Sequence, residues 1–206
     1  MAVITINTEF GTHSQLVASK LAQQLKYDHI GDELLAQIAK ELNLSEHEVG
    51  AFLQTSKSSA LRLIDKYTCS IVQKIVDSGH GCLDDKAYYE KTKELVEKLY
   101  TNDNIIILGW GSQCILKDRP NTLHVKLIKD HDLKIADLME HQKLSRKAAE
   151  DKIKTKEDDL KAYIKEYFNA DWNDARLYDL IIDMGKNSLQ EAVDLICENL
   201  KHKLKG

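Results

Sequence analysis

Val3-Ile4-Thr5-Ile6-Asn7-Thr8-Glu9-Phe10-Gly11-Thr12-His13-Ser14-Gln15-Leu16-Val17-Ala18-Ser19-Lys20-Leu21-Ala22-Gln23-Gln24-Leu25 is the stretch that decides the fold. Val3, Ile4 and Ile6 make a short β-rich run that Gly11 closes. Beyond it Val17, Leu21 and Leu25 recur at i, i+4 and i+8 beside Ala18 and Ala22, the spacing of an amphipathic helix. Strand, glycine turn and helix form the opening unit of an α/β protein. A turn of this kind presents backbone N–H groups at the positive end of the helix dipole, a ready site for an anion. A complete phosphate-binding loop, G-x-x-x-x-G-K-[ST], adds a lysine for the terminal phosphates and a hydroxyl for magnesium. Here Gly11, Thr12 and Ser14 remain and the lysine is missing.

Downstream, Ile105-Ile106-Ile107-Leu108 is a continuous apolar run, ended abruptly by Gly109-Trp110-Gly111; such runs belong to parallel strands covered on both faces. Leu123 to Ile128 reads as a fourth strand, Tyr178 to Ile182 as a fifth, and Tyr27 to Gly31 as a short second. Helical spans separate nearly all of them. Leu34, Leu35, Ile38, Ala39 and Leu42 carry helical spacing, Ser45 to Glu48 is a capping box, and Ser58 to Ser78 reads as a longer helix. Ser188-Leu189-Gln190-Glu191 caps a last helix that Ala192, Val193, Ile196 and Leu200 lay on the sheet. Alternating strands and helices imply parallel crossovers and an open doubly wound sheet, with the ligand site beyond the carboxyl ends of the strands. Gly11, Gly31 and Gly109 stand at such ends. Lys143 to Lys165 mixes charges of both signs over a thin stripe of Ala148, Ile153 and Leu160; it reads equally as a solvated helix face or as a mobile lid.

The 206 residues, 43% apolar and 30% charged with a single proline, predict one globular domain in which the middle helices are an insertion. The formal charge of -4 is spread along the chain, which disfavours a nucleic acid or anionic membrane as partner. Neither a signal-like segment nor a run of membrane-spanning length is present, so a cytoplasmic location is expected. Cys69, Cys82, Cys114 and Cys197 are far apart with no C-x-x-C, and free thiols are the expected state. His80-Gly81-Cys82 has no matching second pair and reads as a polar loop.

Glu9-Phe10-Gly11, Ala18 to Leu25, Asp32 to Leu35, Leu44-Ser45-Glu46, Gly109-x-Gly111, Ile115 to Asp118, Asp171-Trp172 with Tyr178-Asp179-Leu180, and Ser188 to Val193 together resemble, in order, the cytidylate kinase-like family of P-loop proteins. The resemblance implies a P-loop NTPase-type three-layer α/β fold with a central five-stranded parallel sheet. It implies a core of about residues 1–31 and 95–206, a helical acceptor-binding insertion over about 32–90, and a helical lid over about 141–162. The implied chemistry is phosphoryl transfer from ATP, with Mg2+, to a CMP-like monophosphate; the alternative is a catalytically impaired homologue acting as a nucleotide-binding or protein-interaction module. Nucleotide substrates are the expected partners, with a homo-oligomer left open. Gly11, Thr12, His13, Ser14 and Gln15 become the nucleotide-phosphate ligands, with Ser14 also on the metal. Ser14, Lys161 and Arg146 become the catalytic candidates, and Asp32, Gly109, Trp110 and Gly111 the acceptor-binding ones. Asp32 also reads as a helix cap, and Trp110 as a packing aromatic in preference to a base-stacking one.

The sequence departs from the family pattern along this phosphate path. His13 stands where the family turn has glycine, Trp110 where an arginine lies between the two glycines, and Lys161 where the lid has an arginine. Lysine keeps the charge but not the planar two-pronged contact of a guanidinium. Arg146, Lys147, Lys152, Lys154 and Lys156 are available to compensate, although Glu150, Asp151 and Glu157 among them favour a role in solubility.

Overall fold

Residues 2–31 and 85–205 are described by the structure, a computed structural model. The chain divides into two units, residues 1–30 with 96–206, and residues 31–95. The first carries the sheet. Asp32, the expected helices between it and Ser78, and Cys69, His80 and Cys82 lie outside the described residues.

In chain order the elements are β1 (Val3–Thr8), α1 (Ser14–Leu25), β2 (Asp28–Ile30), α2 (Asp85–Thr101), β3 (Ile105–Leu108), α3 (Ser112–Ile115), β4 (Thr122–Ile128), α4 (His131–Gln142), α5 (Arg146–Phe168), β5 (Leu180–Asp183) and α6 (Leu189–Lys203). All strand pairs are parallel, in the order β2-β3-β1-β4-β5. The expected five-stranded parallel sheet is therefore present. The fifth strand begins two residues later than expected because Tyr178 and Asp179 work as anchors: the Tyr178 phenol donates to the Trp172 carbonyl at 2.9 Å, and the Asp179 carboxylate accepts from the His124 amide at 2.8 Å.

Strand alternation separates two unlike faces. Ile4 and Ile6 of β1, Ile106 and Leu108 of β3, and Leu123, Val125 and Leu127 of β4 point to one face, where Val17 and Leu21 of α1 and Val193 and Ile196 of α6 cover them. The opposite face carries Thr5 and Asn7 beside His124 and Lys126, all buried. These polar groups are satisfied internally, as buried polar groups must be. Thr5 Oγ1 meets His124 Nδ1 at 2.7 Å, and the Trp172 indole donates to Asn7 Oδ1 at 3.0 Å. The Lys126 ammonium donates to the Trp172 carbonyl and Asn173 Oδ1, both at 3.0 Å, 4.0 Å from the centre of the Trp172 ring.

The charged segment after Lys143 is a single helix of 23 residues whose cap, Ser145 Oγ, accepts from the Ala148 amide at 3.3 Å. Ile153 of the expected stripe is buried, but its helical neighbour is Ala149, four positions before it, and not Ala148, five before it, which is exposed; Ala149 and Ile153 pack against Ile135 and Leu138 of α4.

Candidate functional site

Gly11 takes φ +85° and His13, the residue before α1, takes φ +56° without a side-chain cap. The first amides to bond inside α1 are those of Leu16 and Val17, both to the His13 carbonyl. The amides before them are the orphan donors of a helix start. Thr12 is buried, with its hydroxyl against Thr8 Oγ1 and 3.1 Å from the Glu9 carbonyl, so this side chain braces the turn from within. His13 and Gln15 are exposed and Ser14 is half-buried at the head of the helix.

A second turn lies at the end of β3, the strand beside β1. Gly109, Trp110 and Gly111 all have left-handed φ, +73°, +62° and +66°, and the Gly109 amide donates to the Ile6 carbonyl at 2.9 Å. Gly111 is glycine for space as well as conformation, since a Cβ there would stand 2.4 Å from Phe168 Cε2. Tyr163 Oη donates to the Trp110 carbonyl at 3.3 Å, so the carboxyl-terminal end of α5 is seated on this turn. Trp110 itself is half-buried.

Arg146 and Lys161 lie 15 positions apart on α5, a rise of about 22 Å at 1.5 Å per residue. They do not converge on one point. Arg146 is exposed and bonds Asp132 at 2.7 Å and Glu150 at 2.9 Å. Lys161 lies 3.8 Å from Asp158 and 5.8 Å from the Trp172 ring centre.

The cations that do approach the Gly11 turn come from the end of β4 and from α4. Lys134 runs its stem past Gly11, with Cγ 3.6 Å from the position a Cβ there would take. Its ammonium is 2.9 Å from Glu9 and 2.7 Å from Glu157, with only 4% of the side chain exposed. Burial drives this ammonium toward neutrality, but the bonds from Glu157 and Glu9 outweigh it and hold its pKa above the ordinary value. Glu9 also accepts from the Lys129 amide at 3.1 Å. Lys129 Nζ binds Asp137, which lies 3.4 Å from His13 Nε2. Although burial opposes it, Lys129 holds the Asp137 carboxyl below its usual range. Sequence reasoning missed Lys134, yet a signal was there: Lys134 sits with Ile135 and Leu138 on the buried side of α4, and a lysine on an apolar stripe needs a partner.

Glu157 also borders a cleft of about 380 Å³ along α5, with His131, Glu150, Lys154 and Lys161 among its other walls. Among the described residues no group of three or more His, Cys, Asp or Glu could hold a metal ion. Magnesium in phosphoryl-transfer sites takes few protein ligands and completes its shell with phosphate oxygens and water, so an ion that arrives with a nucleotide needs no such group.

An all-parallel five-stranded sheet with a glycine turn from the central strand into a helix is the fold of P-loop kinases, and the similar solved structures share it. An uncharacterized protein from Eubacterium ventriosum matches with TM-score 0.69 at 23% identity, over 98% of this chain and 99% of its own. Shikimate kinase from Bacteroides thetaiotaomicron matches with TM-score 0.54 at 13% identity, over 97% and 98%. The YorR protein of Bacillus subtilis, in complex with phosphorylated GDP, matches with TM-score 0.52 at 16% identity, over 100% and 99%. No curated protein matches the chain. Residues 3–186 match the cytidylate kinase-like family, and the chain belongs to it. No helix among the described residues is long and apolar enough to cross a membrane.

Proposed function

We propose that the protein is an ATP-dependent phosphotransferase that uses Mg2+ and transfers the terminal phosphoryl group to a CMP-like monophosphate. The observation that carries this reading is the pair of left-handed turns, Gly11 to Ser14 and Gly109 to Gly111, at the carboxyl ends of the neighbouring strands β1 and β3 in a member of this family. The first turn offers backbone N–H groups to the donor phosphates, with Gln15 and His13 at its rim and Ser14 as the hydroxyl toward the metal. The second, with Asp32, serves the acceptor. The chain works as one kinase-like domain, in which about residues 32–90 are the acceptor-binding insertion and about 141–162 the lid.

An acceptor phosphate oxygen attacks the terminal phosphorus in line as the bond to ADP breaks, and catalysis is mostly positioning and charge stabilisation. Magnesium, when bound with ATP, supplies neutralisation of the phosphate oxygens. The chain holds the groups in line through its amides, and Lys161 or Arg146 reaches the phosphates only if α5 is rearranged.

A second reading, an impaired homologue that binds a nucleotide without turning it over, draws support from one feature: Arg146 and Lys134 are already engaged by carboxylates, two each. An ATP-consumption assay over a panel of nucleoside monophosphates, paired with calorimetric titration of Mg-ATP, separates the readings. Turnover with CMP or a related acceptor sinks the second; binding without turnover sinks the first.

A further inference from the structure

The turn lacks its own lysine, yet a lysine is at hand. Lys134 comes from α4, passes alongside Gly11 and ends between one carboxylate at the base of the turn, Glu9, and one from α5, Glu157. All three side chains are largely buried, at 4%, 18% and 13% exposure. The buried Lys126 interacts with both carboxylates as well, so the charges of Glu9, Lys134 and Glu157 are balanced while the turn is empty. A phosphate at the turn would add unbalanced negative charge unless one carboxylate gives way. Glu9 is the less free to move, because it also accepts from the Lys129 amide at 3.1 Å. Glu157 has somewhere to go: it borders the cleft along α5, where Lys154 and Lys161 stand three positions before and four after it, spacings at which helical ion pairs form.

Resting on the phosphotransferase reading above, we propose that Lys134 is the missing cation of the Gly11 turn, and that it exchanges Glu157 for a phosphate oxygen of the bound nucleotide, so that filling the turn releases the middle of α5. Nucleotide binding and the seating of α5 are then opposed through one ion pair. No covalent step is involved.

The test uses the full chain and Mg-ATP. Calorimetric titration compares wild type with Lys134→Met, Lys134→Arg and Glu157→Gln, with adenosine as the phosphate-free probe. Lys134→Met is expected to weaken Mg-ATP at least tenfold while leaving adenosine unchanged, and Lys134→Arg to restore part of the loss. Glu157→Gln is expected to tighten Mg-ATP several-fold, an outcome that a purely structural clamp does not give. Hydrogen exchange in α5 around Glu157 should rise when Mg-ATP binds to wild type and be high from the start in Glu157→Gln. Undiminished Mg-ATP affinity in folded Lys134→Met overturns the proposal and leaves the phosphotransferase reading standing. If Lys134→Met does not fold, unchanged or weaker binding in Glu157→Gln overturns it. Wild type that fails to bind Mg-ATP overturns both.

Discussion

At the scale of single residues, Gly11 and Gly111 both turn the chain but differ in what a side chain there costs. Gly11→Ala adds a Cβ only in ordinary contact with Lys134, 3.6 Å away, so its penalty is that of a left-handed φ of +85°, about 1–2 kcal/mol. Gly111→Ala meets Phe168 at 2.4 Å as well as a φ of +66°. An overpacking term adds to the backbone one, and the total should reach about 2–5 kcal/mol. Urea unfolding of the two variants checks the order, and Phe168→Leu in the Gly111→Ala background should recover part of the second loss. That both positions turn the chain was legible from glycine after an apolar run. That Gly111 also makes room for an aromatic from α5 was not, because Phe168 lies 57 positions away in sequence and nothing local announces it. Cys114 makes a simpler case. Burial pushes its thiol up to about 11, with Lys117 pulling the other way. In a Cys69→Ser, Cys82→Ser background, reaction with a disulfide reagent near neutral pH should therefore be slow at this site until the protein is unfolded. Fast native-state labelling of Cys114 would contradict the packing around it.

Elements show where local signals are reliable. The last helix was legible to the residue: Ser188 accepts from the Glu191 amide at 3.3 Å and the Glu191 carboxylate accepts from the Ser188 amide at 2.8 Å, the reciprocal cap written in the sequence. Ser188→Ala should cost about 1 kcal/mol, read as a lower unfolding midpoint at unchanged slope. The charged helix α5 was legible as a helix, but its attachments were not. Its apolar stripe is thin, and what holds it are Tyr163 at the Trp110 carbonyl and Glu157 at Lys134, contacts between elements far apart in sequence. Within β4, burial pushes the His124 imidazole below its ordinary value, against the pull of Asp179. The sign follows from linkage. The unfolded chain takes up a proton near the ordinary histidine value, about pH 6.5, before the fold does. Stability from this group is complete above that pH and is lost as pH falls toward the lowered folded value. His124→Gln should therefore show a shallower fall in melting temperature than wild type between about pH 7 and about pH 5; equal slopes would contradict the assignment.

For the molecule as a whole, the parallel sheet was legible because β-rich segments alternate with helical spans and glycine ends β1 and β3, and the family match spans residues 3–186. The polar second face was harder to foresee. Thr5, Asn7, His124 and Lys126 alternate with the apolar residues of β1 and β4, which on sequence alone reads as exposure. Here Trp172 and Tyr178 cover that face instead, with the Lys126 ammonium held between them. The expected phosphate path was legible only as a set of departures from the family pattern, His13, Trp110 and Lys161, because Lys134, which passes Gly11, comes from α4, more than 120 positions along the chain. A chain with formal charge -4 must gather cations locally to hold a polyphosphate, and Lys134 passes Gly11 while the Lys129 amide bonds Glu9 at the base of the turn. The most direct measurement is ADP formation from Mg-ATP with and without CMP, in wild type and in Ser14→Ala. Acceptor-dependent, magnesium-dependent turnover that falls by about 10²-fold or more when the Ser14 hydroxyl is removed is the expected result; no turnover with any monophosphate would contradict the phosphotransferase reading, whether or not Mg-ATP binds.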